Sequence, residues 1–117
     1  MATLDIEAIF AAALDIQLNS EKCISFTFFP SGVSIKFPTT RRLAEFLDVP
    51  HYYVLPYFAM MEQEAMVTRA ERVGIMTTTK GTRKLIRLMA QRYRRESEEL
   101  LGPVIFQEIV HRIESGS

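Results

Sequence analysis

The sequence predicts a small α+β domain, and two observations carry this prediction. The spacing of the apolar residues changes from a helical period to an alternating one and back again along the chain. At 117 residues, with 48% hydrophobic and 24% charged residues, the chain has the composition of one folded globular domain. We therefore treat residues 1–117 as a single domain with three segments, at 1–38, 39–96 and 97–117.

The first segment is expected to hold an N-terminal helix followed by a β-hairpin. Apolar residues recur at helical spacing through 3–18, and Thr3 is suited to cap the start of this helix, because a threonine hydroxyl can accept from a first-turn N–H. From Ile24 to Phe37 apolar and polar residues alternate, as in half-buried strands. The interruption Phe29-Pro30-Ser31-Gly32 favours a type I turn, so the two runs should form one antiparallel hairpin.

The second segment begins with two helices in close succession. A short helix starts at Thr39 or Thr40 and ends before Pro50. A second helix is expected from about 51 to 66. Its core-facing side is predicted to consist of Val54, Phe58, Met61 and Ala65, with Leu55 beside them.

Two short strands and a two-sided helix complete this segment. The strands are expected at 67–69 and 73–77 around a turn near Gly74, and the helix follows from Lys80. The net charge of the seventeen residues 80–96 is +6, although that of the whole chain is zero. This concentration of positive charge suits an anionic partner, and a solvated helix face is the alternative interpretation.

The middle of the chain is similar to a known family. The motifs that carry the similarity are Leu43-Ala44-Glu45-Phe46-Leu47-Asp48-Val49, then Val54, then Met61-Glu62-Gln63-Glu64-Ala65-Met66-Val67-Thr68-Arg69, and finally Thr78-Thr79-Lys80-Gly81. Over residues 39–90 the chain resembles winged helix-turn-helix transcriptional regulators, including the MarR-like and PadR-like groups. The resemblance implies a winged helix-turn-helix with an N-terminal helix plus β-hairpin and a C-terminal helix. Ala65, where a glycine is usual, and Pro56, within the second helix, depart from the family pattern.

The resemblance implies a protein that binds double-stranded DNA with a sequence preference and regulates transcription as a dimer. The second helix would enter the major groove, while threonines and cations nearby would hold phosphates. The residues expected to contact DNA are Thr39, Thr40, Arg41, Arg42, His51, Tyr52, Tyr53, Tyr57, Arg69, Arg72 and Lys80.

A protein-interaction adaptor is the alternative function. One face of the second helix carries Tyr52, Tyr53, Tyr57 and Met60 and no arginine or lysine. Arginine is the commonest specific base contact, whereas aromatic residues and methionine are enriched at protein interfaces. The aromatic face therefore fits a protein partner as well as it fits DNA.

A homodimer interface is expected on the C-terminal helix, which follows the break at Gly102-Pro103. Its apolar stripe consists of Ile105, Phe106, Ile109, Val110 and Ile113. Burying each large side chain of such a stripe is worth roughly 1.5–3 kcal/mol, so a partner surface is expected to cover it. Ile16 and Leu18 could share this interface. The alternative is that the helix folds back over the hairpin of its own chain.

Other classes of function find little support in the sequence. One cysteine and two scattered histidines do not form a metal-ligand pattern, and phosphate-binding or nucleophile motifs do not occur. We expect no catalysis, no metal and no cofactor, and we interpret Cys23 as a small residue near the core that begins the hairpin. The acidic residues in 1–18 and the lack of an apolar run of about 20 residues predict a cytoplasmic protein without membrane contact.

Overall fold

The computed structural model describes residues 4–70, 72 and 74–115, and over these residues the chain has the predicted α+β class. Groups of helices alternate with pairs of strands along the described chain, and a stretch of π-helix follows the first α-helix. In chain order the elements are α1 (Ile6–Leu14), the π-helical segment (Asp15–Ser20), β1 (Phe26–Phe29), β2 (Gly32–Ile35), α2 (Thr40–Leu47), α3 (His51–Gln63), β3 (Val67–Ala70), β4 (Gly74–Thr77), α4 (Thr79–Arg92), α5 (Arg94–Leu101) and α6 (Pro103–Ser115).

One hydrophobic core gathers residues from the first, middle and last parts of the chain. Phe10 of α1, Phe37 after β2 and Phe58 of α3 lie inside it with their rings edge to face. The ring centroids of Phe10 and Phe37 are 5.4 Å apart, and those of Phe37 and Phe58 are 5.8 Å apart. Aromatic pairs at these spacings add to the stabilisation from burial alone, so the Phe37 ring connects α1 to α3 within the core.

The first helix begins later than predicted. Asp5 caps α1 by accepting a hydrogen bond of 2.7 Å from the backbone N–H of Ala8, and Thr3 lies outside the described residues. The chain then widens into the π-helical segment, where the Gln17 side-chain amide donates to the Lys36 carbonyl at 2.6 Å. Cys23 is exposed and precedes β1, so the expectation that it lies near the core and begins the hairpin is wrong.

The first hairpin turns at the predicted position, between Phe29 and Gly32, but does not have the predicted burial. Phe26 pairs with Ile35 and Phe28 with Val33 in an antiparallel register. The inward residues of β2 are buried, whereas Phe28 of β1 is 54% exposed. The prediction of two half-buried strands is wrong for β1, because α4 packs on β2 and leaves β1 at the open edge.

The second hairpin, β3 and β4, is joined to the first through the chain that follows β2. Lys36 forms a bridge with Met76, and the Phe37 N–H donates to the Ile75 carbonyl at 2.8 Å. The turn between the two strands lies just before Gly74, as predicted, and Gly74 itself begins β4; Val73 lies outside the described residues. The residues just after β2 therefore connect the first hairpin to the second one by backbone hydrogen bonding.

Two buried threonines connect these hairpins to α4. The Ile35 N–H donates to the Thr77 hydroxyl at 2.8 Å, and the Thr77 and Thr82 hydroxyls are 2.6 Å apart. The Thr82 hydroxyl donates to the Val33 carbonyl at 2.6 Å. Since Thr82 gives its proton to Val33, Thr77 must donate to Thr82, and the chain of bonds leaves no buried hydroxyl of this pair unsatisfied.

The C-terminal third differs from the sequence prediction in two ways. The helix expected through 80–96 breaks at Tyr93, whose backbone leaves the helical conformation, and α5 follows as a separate helix. The apolar stripe of α6 faces the core of its own chain, because α4 and α5 pack against it. The fold-back alternative describes α6 in part: this helix packs mainly on α4 and α5, and the Arg112 side chain donates to the Phe29 carbonyl of the first hairpin at 3.3 Å.

Most of the residues assigned to a dimer interface are consequently buried within their own chain. Phe106, Ile109, Val110 and Ile113 are each 7% exposed or less, and Ile16 and Leu18 are also buried. Ile105 alone among the stripe residues is exposed. The assignment is wrong for the buried residues, because helical spacing shows that a face is buried but not whether the same chain or another buries it. The homodimer itself stays a prediction.

Candidate nucleic-acid interface

A three-residue turn joins α2 and α3. It consists of Asp48, Val49 and Pro50, and Asp48 adopts the left-handed conformation with φ 57° and ψ 48°. The Val49 N–H donates to the Ala44 carbonyl at 3.0 Å, which satisfies a carbonyl at the end of α2. A tight turn with a left-handed residue between two packed helices is typical of a helix-turn-helix.

The N-termini of α2 and α3 are tied together by side chains. Thr39 caps α2 by accepting from the Arg42 N–H at 3.0 Å, and the Thr40 hydroxyl lies 2.7 Å from Nε2 of His51. The bond between Thr40 and His51 spans the turn and fixes the angle between the two helices. All three candidate DNA contacts therefore have roles in the structure. Thr39 acts as an acceptor and keeps its hydroxyl proton for a phosphate, whereas the bond between Thr40 and His51 uses one donor of that pair.

Three of the predicted phosphate contacts are engaged elsewhere in the chain. Arg42 forms an ion pair of 3.4 Å with Glu21, and Arg69 forms one of 3.1 Å with Glu62. Lys80 donates to the Glu64 carbonyl at 2.9 Å and so covers the C-terminus of α3. All three cations are at least partly exposed, and exposed pairs of this kind are weak.

Two predicted phosphate contacts remain unpaired among the described residues. Arg41 is exposed in the first turn of α2 and lies beside His51 in a groove of about 380 Å³ at the α2–α3 corner. Arg72 is exposed in the turn between β3 and β4. One cation thus lies near the start of α3, and the other lies on the hairpin that follows its end.

The exposed face of α3 is aromatic and apolar. Tyr52 and Tyr53 are 65% and 51% exposed, and their rings meet edge to face with centroids 5.0 Å apart. Met60 and Leu55 are exposed on the same helix, whereas Tyr57 packs partly against the core. The residues between 51 and 63 include no arginine or lysine.

Sequence reasoning misplaced two side chains of α3. Leu55 was expected beside the core and is 40% exposed, and Ala65 was expected to face the core but lies exposed beyond the end of the helix. The signal that could have found Leu55 is its position three residues after Tyr52, which places both on one side of a helix. Val54, Phe58 and Met61 are buried as predicted.

Comparisons with known proteins give no match: no family model fits the chain, and neither a curated protein nor a solved structure is similar to it. Within the described ranges, no helix is long and apolar enough to cross a bilayer. In the same ranges, no three acidic, histidine or cysteine side chains converge as a metal site would require. The function is therefore inferred from the geometry of this chain alone.

Proposed function

We propose that the chain is a winged helix-turn-helix protein of the cytoplasm that binds double-stranded DNA with a sequence preference and regulates transcription, and that it is not an enzyme. The observation that carries the proposal is the arrangement around α3. A tight turn with a left-handed residue precedes this exposed helix, and an antiparallel hairpin follows it. The bridge between Lys36 and Met76, which connects the chain before α2 to that hairpin, supports the same arrangement.

In the proposed complex, α3 supplies base contacts and its surroundings supply phosphate contacts. Tyr52 and Tyr53 project from the first turn of α3, where a recognition helix meets the base edges. Arg41 and Arg72 contact phosphates on either side of the groove, because they are the predicted cations without partners among the described residues. Phosphate contacts supply affinity, and the tyrosines supply the preference between sequences.

The phosphate contacts are tested by the salt dependence of binding. Fluorescence anisotropy with labelled duplexes, at about 50 and about 200 mM salt, should give a steep loss of affinity for the parent. Arg41→Ala and Arg72→Ala should each weaken binding to all duplexes similarly and lower the salt slope by about 0.9. Arg95→Ala is the matched control, since Arg95 is exposed on α5 and pairs with Glu99. Equal slopes for the parent and both variants would contradict the proposed phosphate contacts.

The base contacts are tested by the preference between duplexes. Tyr53→Ala should change the ratio of affinities for two duplexes of different sequence while leaving the salt slope unchanged, because Tyr53 carries no charge. A uniform loss over all duplexes would mean that Tyr53 positions the helix and reads no base.

A protein-interaction adaptor is the second candidate, and the exposed apolar face of α3 favours it. This face, with Tyr52, Tyr53, Leu55 and Met60, has the composition of an interface core and carries no positive charge. Partner binding through it should be insensitive to salt and should be lost in Leu55→Glu. Arg41→Ala should leave such binding unchanged, which separates the two candidates.

A further inference from the structure

The outer edge of β1 presents backbone hydrogen-bonding groups that no described strand uses. β1 pairs with β2 on one side, and among the described residues no other strand pairs with it. The Lys36 N–H donates to the Ser25 carbonyl at 3.0 Å, so these two residues form a hydrogen-bonded pair of the ladder. Because hydrogen-bonded and non-hydrogen-bonded pairs alternate along antiparallel strands, Thr27 bonds to β2, whereas the N–H and C=O groups of Phe26 and Phe28 point away from it.

The hydrogen bonds of β2 support this alternation independently. The Ile35 N–H donates to a threonine hydroxyl of β4, and the Val33 carbonyl accepts from a threonine hydroxyl of α4. Ile35 and Val33 therefore turn these backbone groups away from β1, although they lie opposite Phe26 and Phe28. In a non-hydrogen-bonded pair both residues direct their backbone groups outward, so the two phenylalanines direct theirs to the open edge.

The open edge is also uncharged and apolar. Residues 23–35 contain no aspartate, glutamate, lysine or arginine, and Phe28 and Phe29 are 54% and 45% exposed. β3, the strand of the second hairpin that pairs with β4 alone, carries Arg69 instead. Arg112 of α6 contacts the Phe28 ring and the Phe29 carbonyl, neither of which is an outward backbone group. Proteins usually protect an open edge with charges, because an uncharged apolar edge pairs readily with another strand.

The occupant that fits this edge best is β1 of a second copy of the chain. Antiparallel pairing about a two-fold axis at Thr27 places Phe26 opposite Phe28 of the partner subunit. This register gives each outward N–H a carbonyl and each outward carbonyl an N–H. An axis at Phe28 would instead place Phe26 opposite Pro30, which has no N–H to donate. A flexible peptide would lose conformational entropy on binding, whereas β1 is already extended in its own hairpin.

We propose that the chain forms a two-fold dimer through β1, in which the first hairpins of two copies join into one antiparallel sheet. The same edge is used by both copies, so the assembly closes at two. The Phe26 and Phe28 rings, with centroids 6.3 Å apart, meet those of the partner subunit on one face of this sheet. The contact is a strand edge and not the terminal helices. It does not rest on the proposed function, because β1 contains none of the predicted DNA contacts.

Dimerisation is measured by sedimentation velocity of the full chain between about 1 and about 100 μM, since mass action makes a dimer depend on concentration. We expect the mass to rise from that of one chain to that of two. Hydrogen exchange at both ends of this range should show protection of the Phe26 and Phe28 amides that increases with concentration. The Thr27 amide should be protected equally at both ends, because it already bonds to β2.

Two results of these measurements would overturn the proposal. One is a chain that stays monomeric over the whole range. The other is a monomeric chain whose β1 amides become protected only when a synthetic peptide of alternating valine and threonine is added. That result would assign the edge to an extended segment of another protein.

Oppositely charged variants test the register, because Thr27 faces its own copy across the axis in a close pair. Thr27→Lys and Thr27→Glu should each dimerise several-fold more weakly than the parent, since like charges then lie directly opposite. An equimolar mixture of the two should form a heterodimer that is tighter than either homodimer. Thr68→Lys is the matched control: it makes the same change at an exposed position of β3 and should dimerise like the parent. Parental dimerisation of Thr27→Lys, or a mixture no tighter than its components, would contradict the pairing.

A second pair of variants separates the backbone from the ring. Phe28→Pro removes an outward N–H at a position where an edge strand tolerates proline, and it should abolish the dimer. Phe28→Ala keeps this N–H and should retain part of the affinity. Equal loss in both variants would overturn the strand pairing, because the rings alone would then hold the two copies together. Circular dichroism and urea unfolding of each variant confirm that the fold is retained before affinities are compared.

Discussion

Tyr93 links the end of α4 to the start of the chain through its hydroxyl group. The hydroxyl donates to the Asp15 carboxylate at 3.2 Å and lies 3.3 Å from the Ala11 carbonyl. Burial raises the pKa of Tyr93 to about 12, and the nearby carboxylate of Asp15 adds to this effect, because both disfavour the phenolate. The Tyr93 side chain thus reaches back to α1 and the π-helical segment at the point where the chain turns from α4 into α5.

This tyrosine should make stability fall at high pH. Its folded-state pKa lies above the ordinary value of 10, so its contribution is fully present below pH 10 and is lost as the pH rises toward 12. Phenolate absorbance should show one tyrosine that titrates last, and this component should be absent in Tyr93→Phe. Asp15→Asn should move the component toward pH 10. A parent that loses no more stability over this pH range than Tyr93→Phe would contradict the assignment.

Gly81 is required by a close approach of backbones in the first turns of α4. A Cβ at this position would overlap the carbonyl oxygen of Met66, which also accepts from the Thr78 N–H at 3.0 Å and cannot easily shift. Replacing glycine by alanine inside a helix normally stabilises it by about 1 kcal/mol. We expect Gly81→Ala to destabilise the protein instead, by about 1–3 kcal/mol in urea unfolding, because of the overlap. A gain in stability would show that the two backbones are farther apart.

At the scale of elements, the periodicity of the sequence predicts most helices and strands because it reports which face is buried. It identified β2, α3 and the basic side of α4 for this reason. It did not identify the break at Tyr93 or the π-helical segment. The break involves a contact between residues 78 positions apart, and the segment bonds through Gln17 to Lys36, 19 positions away. A local sequence pattern cannot predict contacts between residues that lie so far apart along the chain.

The end of α3 provides a test in which one substitution has opposite effects at two positions. Ala65 follows this helix with φ at +58°, where an alanine is strained and a glycine is not. Ala65→Gly should therefore stabilise the protein by about 0.5–1 kcal/mol. Ala59→Gly is the control, since Ala59 is exposed within α3, and it should destabilise by about 1 kcal/mol. Thermal or urea unfolding measures both, and a loss of stability in Ala65→Gly would argue against the left-handed conformation.

At the scale of the whole molecule, the sequence predicted which tyrosines of the candidate interface are exposed better than it predicted which of its cations are unpaired. Tyr52 and Tyr53 are exposed because they lie away from the side of α3 that buries Val54, Phe58 and Met61, and helical spacing assigns that side from the local sequence. The partner of Arg42, by contrast, is Glu21, which lies 21 residues earlier in the chain. The pairing of each cation depends on how distant segments pack. Of the predicted DNA-contacting cations, this packing leaves Arg41 and Arg72 without a partner among the described residues.

The same packing predicts how α6 responds to mutation. Phe106 is fully buried in the core of its own chain, whereas its neighbour Ile105 is 55% exposed. Phe106→Ala should therefore lower the free energy of unfolding by about 3–5 kcal/mol, because it leaves a cavity in the core. Ile105→Ala, the adjacent control, should change it by less than about 0.5 kcal/mol. Urea unfolding at two protein concentrations, together with sedimentation, distinguishes a core residue from an interface residue. If Phe106 belongs to the core, its loss lowers the unfolding midpoint equally at both concentrations. A parental midpoint that rises with concentration, and a Phe106→Ala variant that abolishes only this rise, would instead place Phe106 between two copies of the chain.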